Sequence, residues 1–318
     1  MLAFRLDPAP SMDTAAVEPI VNSGEALIEL RVAGICDTDL QLAQGYMEFR
    51  GIPGHEFVGR VLECDENSWI GARVVGDINA GCGLCADCVE RDGHHCEKRS
   101  VLGILARPGC LAERFTLPLG NLVRVPDNLT DERAVFAEPL AAGLHVLREV
   151  QRSSAERVLV LGDGKLGLLT ALALHASGVD VTVVGHHEHK LEIARSAGAT
   201  GILEADLDKS AVFDLVVEAT GSAKGLQRAL QIVRPRGTVV LKTTVALPEG
   251  IDLSPIVIHE LQVIGSRCGD MAEAVAMLSR GEINPLPLVD KRFALKETSK
   301  AFERAAQRGI LKVLVTVG

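Results

Sequence analysis

Short apolar runs rich in Val, Ile and Leu, broken by Gly and Pro, dominate the first part of the chain. The runs at 26–32, 58–63 and 73–75 have strand length and are bounded by turn residues, so the region from 1 to about 139 is predicted to be mostly β. From about 155 the rhythm changes. Largely apolar runs at 157–161, 180–184, 201–204, 215–218, 238–241 and 262–265 are strand candidates, and 165–177 and 188–197 are predicted helices. Such strands alternating with helices predict a parallel sheet covered on both faces, an α/β architecture. Helices at 271–280 and 296–308, a Pro-marked loop at 285–287 and a terminal strand at 311–317 complete the pattern. That last strand is expected to pair with the first region, because a lone strand needs an edge.

The chain has 318 residues, enough for two domains. Its 47 % apolar content can bury most of it, and the 3 % aromatic content suits Ala-, Val- and Leu-rich helix-on-sheet layers. A net charge of −9 without a basic block excludes a nucleic-acid partner. The N-terminus does not read as a signal peptide. The most apolar stretch, 166–179, is interrupted by Thr170, His175 and Ser177 and is too short for a bilayer. These features lead to the expectation of a soluble, cytoplasmic protein without a membrane partner. Of eight cysteines, four crowd into 82–96, which favours metal binding over disulfides.

A G-x-G-x-x-G turn, Gly162-Asp163-Gly164-Lys165-Leu166-Gly167, follows a predicted strand and opens a predicted helix. In that setting the three glycines serve a tight turn, approach to a pyrophosphate and close helix–strand packing. A dinucleotide site usually carries a carboxylate at the end of the second strand. Here that strand ends Val184-Gly185-His186-His187, without one. The space and the cations His186, His187 and Lys190 tilt the expectation to NADP over NAD; solvated surface histidines are the alternative.

Cys82, Cys85, Cys88 and Cys96 provide four thiolates in one loop, the donor set of a closed structural zinc site. An iron–sulfur cluster fits less well, because seven residues separate the last two cysteines. His94 and His95, inside the loop, are expected to face solvent; Cys64, Cys110 and Cys268 are expected to be small core residues. A second, scattered set consists of Cys36 in G-I-C-D-T-D, His55 and Glu56 in P-G-H-E, and Glu138 in E-P-L.

In this order, with the four-cysteine loop and G-D-G-K-L-G, these motifs resemble the zinc-containing medium-chain dehydrogenase/reductase family, which includes alcohol, sorbitol, glucose and threonine dehydrogenases. The resemblance extends from about Ala26 to the C-terminus. It implies a GroES-like, mostly β catalytic domain over 1–138 and 267–318 and a Rossmann domain over 139–266, with the active site in the cleft between. It also implies two zinc ions per chain, NAD(P), a small alcohol, polyol or carbonyl substrate, and a homodimer or homotetramer. By the same resemblance Cys36 and His55 bind a catalytic zinc, with Glu56 or Glu138 as third ligand and exchange between them. Asp39 would fix the His55 tautomer, Lys312 would pair with Asp39, and Thr38 would accept the alcohol proton. Gln41 stands where many relatives end a proton relay with histidine. Tyr46, Phe49 and Arg50 are candidates for the substrate pocket, and Glu138 tilts the substrate toward polyols or sugar-type secondary alcohols. A metal-independent quinone or enoyl reductase on the same scaffold and a non-catalytic nicotinamide-binding sensor are the rival functions.

Overall fold

Glu25–Gly34 forms a ten-residue strand whose burial largely alternates, as expected for a sheet with one face on the core. It pairs antiparallel with Glu56–Cys64 and with Arg114–Pro118. The strand order of its sheet is Leu122–Arg124, Arg73–Gly76, Glu56–Cys64, Glu25–Gly34, Lys312–Thr316 and Val289–Ala294. The terminal strand does pair with the first region, with Leu314 opposite Gly34. Phe57 and Phe115 meet edge-on at 4.8 Å inside this sheet's core. The coordinates, a computed structural model, describe residues 1–7, 9–244 and 250–317. They divide into two units: Met1–Glu138 with Met271–Arg280 and Asn284–Gly318, and Pro139–Asp270 with Gly281–Ile283.

The second unit is a six-stranded parallel sheet in the order Thr200–Leu203, Val181–Gly185, Val158–Leu161, Phe213–Glu218, Val233–Leu241 and Gln262–Gly265. The order reverses between Val158–Leu161 and Phe213–Glu218, and at such a switch point ligands bind outside the carboxyl ends of the strands. Leu159, Val184, Val216, Leu230 and Val239 fill its core. The Lys165–Ala176 helix buries nine of its twelve residues, so it carries almost no polar face. Among the described residues no helix is long and apolar enough to cross a membrane.

Among the elements that go beyond the sequence pattern are the seventeen-residue helix Ala137–Ser153, the helix Ala223–Ile232 and the strand Val289–Ala294. Pro139 and Gly143 look like breakers in the first of these. Pro in the first helical turn is favourable, however, and Gly143 packs where a Cβ would stand 3.1 Å from Thr170 Cα. The helix expected over 296–308 is shorter, Thr298–Ala305 after a 3₁₀ turn.

Candidate functional site

The first unit gathers its chemistry where two strands meet. Gly34 ends one strand opposite Glu56, which begins the next. Cys36 caps the Asp37–Ala43 helix two residues later, and His55 immediately precedes Glu56. The Cys36 thiol, a His55 ring nitrogen and a Glu56 carboxylate oxygen lie within 4.8 Å of one another. Gly34 permits this approach, because a Cβ there would overlap Glu56 Oε2.

Expected beside Asp39, Lys312 instead reaches Glu56. With Leu314 opposite Gly34, Lys312 falls level with Cys36 across the sheet, and its Nζ donates to Glu56 Oε1 at 2.6 Å and Oε2 at 2.5 Å. Both side chains are about 1 % exposed. Asp39 already has other donors. Its Oδ2 accepts the Cys36 N–H at 2.9 Å, and its Oδ1 accepts the Gly54 N–H at 3.1 Å. His55 Nδ1 lies 3.2 Å from Oδ1, but the ring is turned so that this buried nitrogen makes no aligned hydrogen bond. Asp39 therefore acts on the ring mainly through charge. Burial disfavours the imidazolium, yet Asp39 and then Cys36 hold His55 well above the ordinary imidazole value.

Glu138, in the first turn of Ala137–Ser153, stands outside the tight trio. Burial pushes its carboxyl up to about 7; Glu56 and Asp77 add to the push, and His55 and Lys312 oppose it. Thr38 Oγ1 is 3.9 Å from Cys36 Sγ and half-buried, as is Gln41. Tyr46 and Arg50 are exposed and Phe49 is half-buried. A thiol, an imidazole and a carboxylate whose donor atoms lie within 4.8 Å of one another suit a zinc ion, which takes S, N and O donors.

Cys82, Cys85, Cys88 and Cys96 bring their sulfurs within 4.8 Å of one another, with Cys85 and Cys88 3.5 Å apart. Zn–S bonds of about 2.3 Å in a tetrahedron place sulfurs about 3.8 Å apart, so the set fits zinc. N–H groups of Leu84 and Cys85 draw the Cys82 thiol down to about 6, which favours a thiolate. His95 is exposed, but His94 is buried, contrary to its expected place in solvent. Its Nε2 lies 2.5 Å from Asp77 Oδ2, and a partner from outside the loop removes the need for water. Cys110 is buried, whereas Cys64 and Cys268 are only partly so. Cys64 ends a strand with its thiol on Glu66 O, at the rim rather than in the core.

In the second unit Gly162 adopts φ +121°, and a Cβ there would stand 2.6 Å from Ala219 O. A Cβ at Gly167 would overlap Gly162 O, while Gly164 faces open space. The helix behind Gly164 has no side-chain cap, so this end offers N–H groups and room to a pyrophosphate. Lys165 is buried and Leu166 half-buried. Where the sequence shows no carboxylate at the end of the second strand, the fold supplies Asp163 from the turn. Its Oδ2 accepts from the His186 and His187 N–H groups and from His187 Nδ1. A Cβ on Gly185 would overlap the Asp163 side chain. His186 is exposed, His187 half-buried, and Lys190 buried with no ion-pair partner among the described residues. A cavity of about 560 Å³ lies at the opposite, amino-terminal ends of the strands, lined by Val158, Thr182 and Phe213, away from this chemistry.

Residues 22–127 match the alcohol dehydrogenase GroES-like domain, and residues 166–280 match the zinc-binding dehydrogenase domain. The chain is 27 % identical to the L-threonine 3-dehydrogenase of Salmonella arizonae over 321 residues, which cover 93 % of this chain and 94 % of that one. Alcohol dehydrogenase from Thermus sp. ATN1 superposes with a TM-score of 0.86 at 27 % identity and full coverage of both chains. A zinc-binding dehydrogenase of Sinorhizobium meliloti 1021, solved with NADP, gives a TM-score of 0.88 at 27 % identity, covering 99 % of this chain and 98 % of that one.

Proposed function

We propose, because the chain belongs to the zinc-containing medium-chain dehydrogenase/reductase family, that it moves hydride between the hydroxyl-bearing carbon of an alcohol or polyol and a nicotinamide dinucleotide. The convergence of Cys36, His55 and Glu56 on one point, with Glu138 beside them, carries this assignment. Zinc held there would supply Lewis acidity, polarising a substrate oxygen and lowering the pKa of its hydroxyl. A nicotinamide ring held through the glycine turn supplies the two-electron acceptor or donor.

The side chains have distinct tasks. Asp39 fixes the Cys36 backbone and biases the His55 ring by its charge. Lys312 neutralises Glu56 from behind. Thr38 Oγ1 accepts the hydroxyl proton and passes it to water, since Gln41 cannot titrate. Cys36 and His55 would be the fixed ligands of the zinc. Glu56 and Glu138 compete for the third place: Glu56 is nearer, but Lys312 already occupies both its oxygens. The four cysteines would hold a second, structural zinc. The threonine and alcohol dehydrogenase relatives support a hydroxyl-bearing substrate, and the carboxylate at Glu138 favours a polyol or sugar-type secondary alcohol.

Gln262–Gly265 lies at the edge of its sheet, with Val257 78 %, Ile258 72 % and Val263 37 % exposed. An edge with unpaired backbone groups beside apolar side chains supports a homodimer, or a tetramer built from it. Eight cysteines, none of them paired in a disulfide, fit a cytoplasmic setting. Elemental analysis tests the central assignment: about two zinc ions per chain are expected, with dinucleotide-dependent oxidation in a panel of alcohols, polyols and amino alcohols. One zinc per chain and no turnover would instead favour a nicotinamide-binding sensor.

A further inference from the structure

The adenosine end of the dinucleotide site contains a charge that the strand itself lacks. In a doubly wound sheet the adenosine ribose lies over the carboxyl end of the second strand. A carboxylate there accepts from the 2′-hydroxyl, whereas cations accommodate a 2′-phosphate. In this chain the backbone N–H groups of His186 and His187 and the ring Nδ1 of His187 converge on one spot just past Gly185. Donors arranged in this way form an anion nest. The chain fills the nest itself, because Asp163 Oδ2 lies 2.8, 2.7 and 2.9 Å from the three nitrogens. Asp163 is 7 % exposed, and its side chain occupies the volume that any side chain at 185 would need. Despite burial, the His187 ring and the two N–H groups hold its carboxyl below the usual range, so it stays ionised at neutral pH.

We propose that Asp163 selects the unphosphorylated dinucleotide: its Oδ1, unpartnered among the described residues, accepts from the adenosine 2′-hydroxyl, and its Oδ2 blocks the nest that a 2′-phosphate requires. A phosphate placed there would face a like charge and find its N–H donors already taken. His187 and Lys190 can offset charge but cannot restore those donors. The preference is thus for NAD, the reverse of what the strand-end residues alone suggest. The inference rests on the dinucleotide-binding reading above and deepens it.

Fluorescence titration of NADH and of NADPH into the chain, without substrate, gives each Kd directly. NADH is expected to bind at least about tenfold more tightly than NADPH. Asp163→Asn removes the charge and keeps one acceptor, and should narrow that ratio by about tenfold or more. Asp163→Gly combined with Gly185→Asp moves the carboxylate from the turn to the strand end and should restore the NADH preference. NADPH binding the wild type as tightly as NADH would overturn the proposal, as would an unchanged ratio in Asp163→Asn. If that single variant does not fold, the double variant decides: a wild-type ratio supports the assignment and a preference for NADPH defeats it. A folded wild type that binds neither dinucleotide would refute the cofactor reading itself, and this inference with it.

Discussion

Lys312→Met removes the cation from Glu56 while nearly conserving volume. Both side chains are about 1 % exposed, and Nζ lies 2.6 and 2.5 Å from the two carboxylate oxygens. Breaking a buried pair from one side leaves an uncompensated charge and costs about 3–5 kcal/mol. The chain has one tryptophan, Trp69, and it belongs to the first unit, so its fluorescence in urea follows that unit. Metal-free Lys312→Met should therefore lose about 3–5 kcal/mol of unfolding free energy relative to the metal-free wild type. Adding Glu56→Gln should recover most of that loss, since no charge then remains unpaired. Zinc provides a second axis. Without the ammonium, a bound dication would neutralise Glu56, so zinc should stabilise the variant more than the wild type. A loss below about 1 kcal/mol, or a double variant no more stable than Lys312→Met, would refute the reasoning.

Gly34→Ala places a Cβ on Glu56 Oε2 and should lower zinc content from two ions per chain toward one, read by elemental analysis. Gly167→Ala, against the Gly162 carbonyl, should cost about 1–3 kcal/mol of stability. Gly164→Ala, facing open space, should spare the fold yet weaken NADH binding, and equal effects in both assays would contradict this division. Ile258→Asp should shift sedimentation toward monomer, while an unchanged dimer would place the interface elsewhere. The Arg292 fork lies 2.5 and 2.8 Å from Glu132 and draws its carboxyl below the ordinary value. A lowered folded pKa means this contribution is present above the unfolded value near 4.5 and lost as pH falls through the folded one. Since both partners are more than a third exposed, Glu132→Gln should cost less than about 1 kcal/mol at pH 7, and progressively less as the pH falls below the unfolded value.

The glycine turn is legible in sequence because its constraints are local: Gly162 needs its positive φ and Gly167 its close approach within six residues. Four cysteines within fifteen positions are legible for the same reason. Long-range partners are not. Lys312 and Glu56 are 256 positions apart and meet only through the pairing of Leu314 with Gly34. The sequence pattern placed that strand in the first region without fixing its register, and a shift of register changes which side chain faces which. Asp163 reaches the end of the second strand because Leu161 lies beside Val184 in the sheet. The charge at this place is therefore carried by the turn and not by positions 185–187. His94 is similar: inside a polar loop it looks solvated, and only the fold brings Asp77 to its ring.

Both sites show how the chain distributes charge before any ligand arrives. Asp39 accepts two backbone N–H groups and faces His55, Glu56 is covered by Lys312, and Asp163 is satisfied by three nitrogens. Glu138 differs. It has no hydrogen-bond or ion-pair partner among the described residues, and burial together with Glu56 and Asp77 holds its carboxyl at about 7, where the proton is loosely kept. An acid shielded from solvent beside an imidazole and a second carboxylate is costly to ionise, and His55 and Lys312 offset that cost only in part. Glu138→Gln should accordingly weaken zinc binding, read by zinc titration of the metal-free chain, and an unchanged affinity would leave Glu56 as the third ligand.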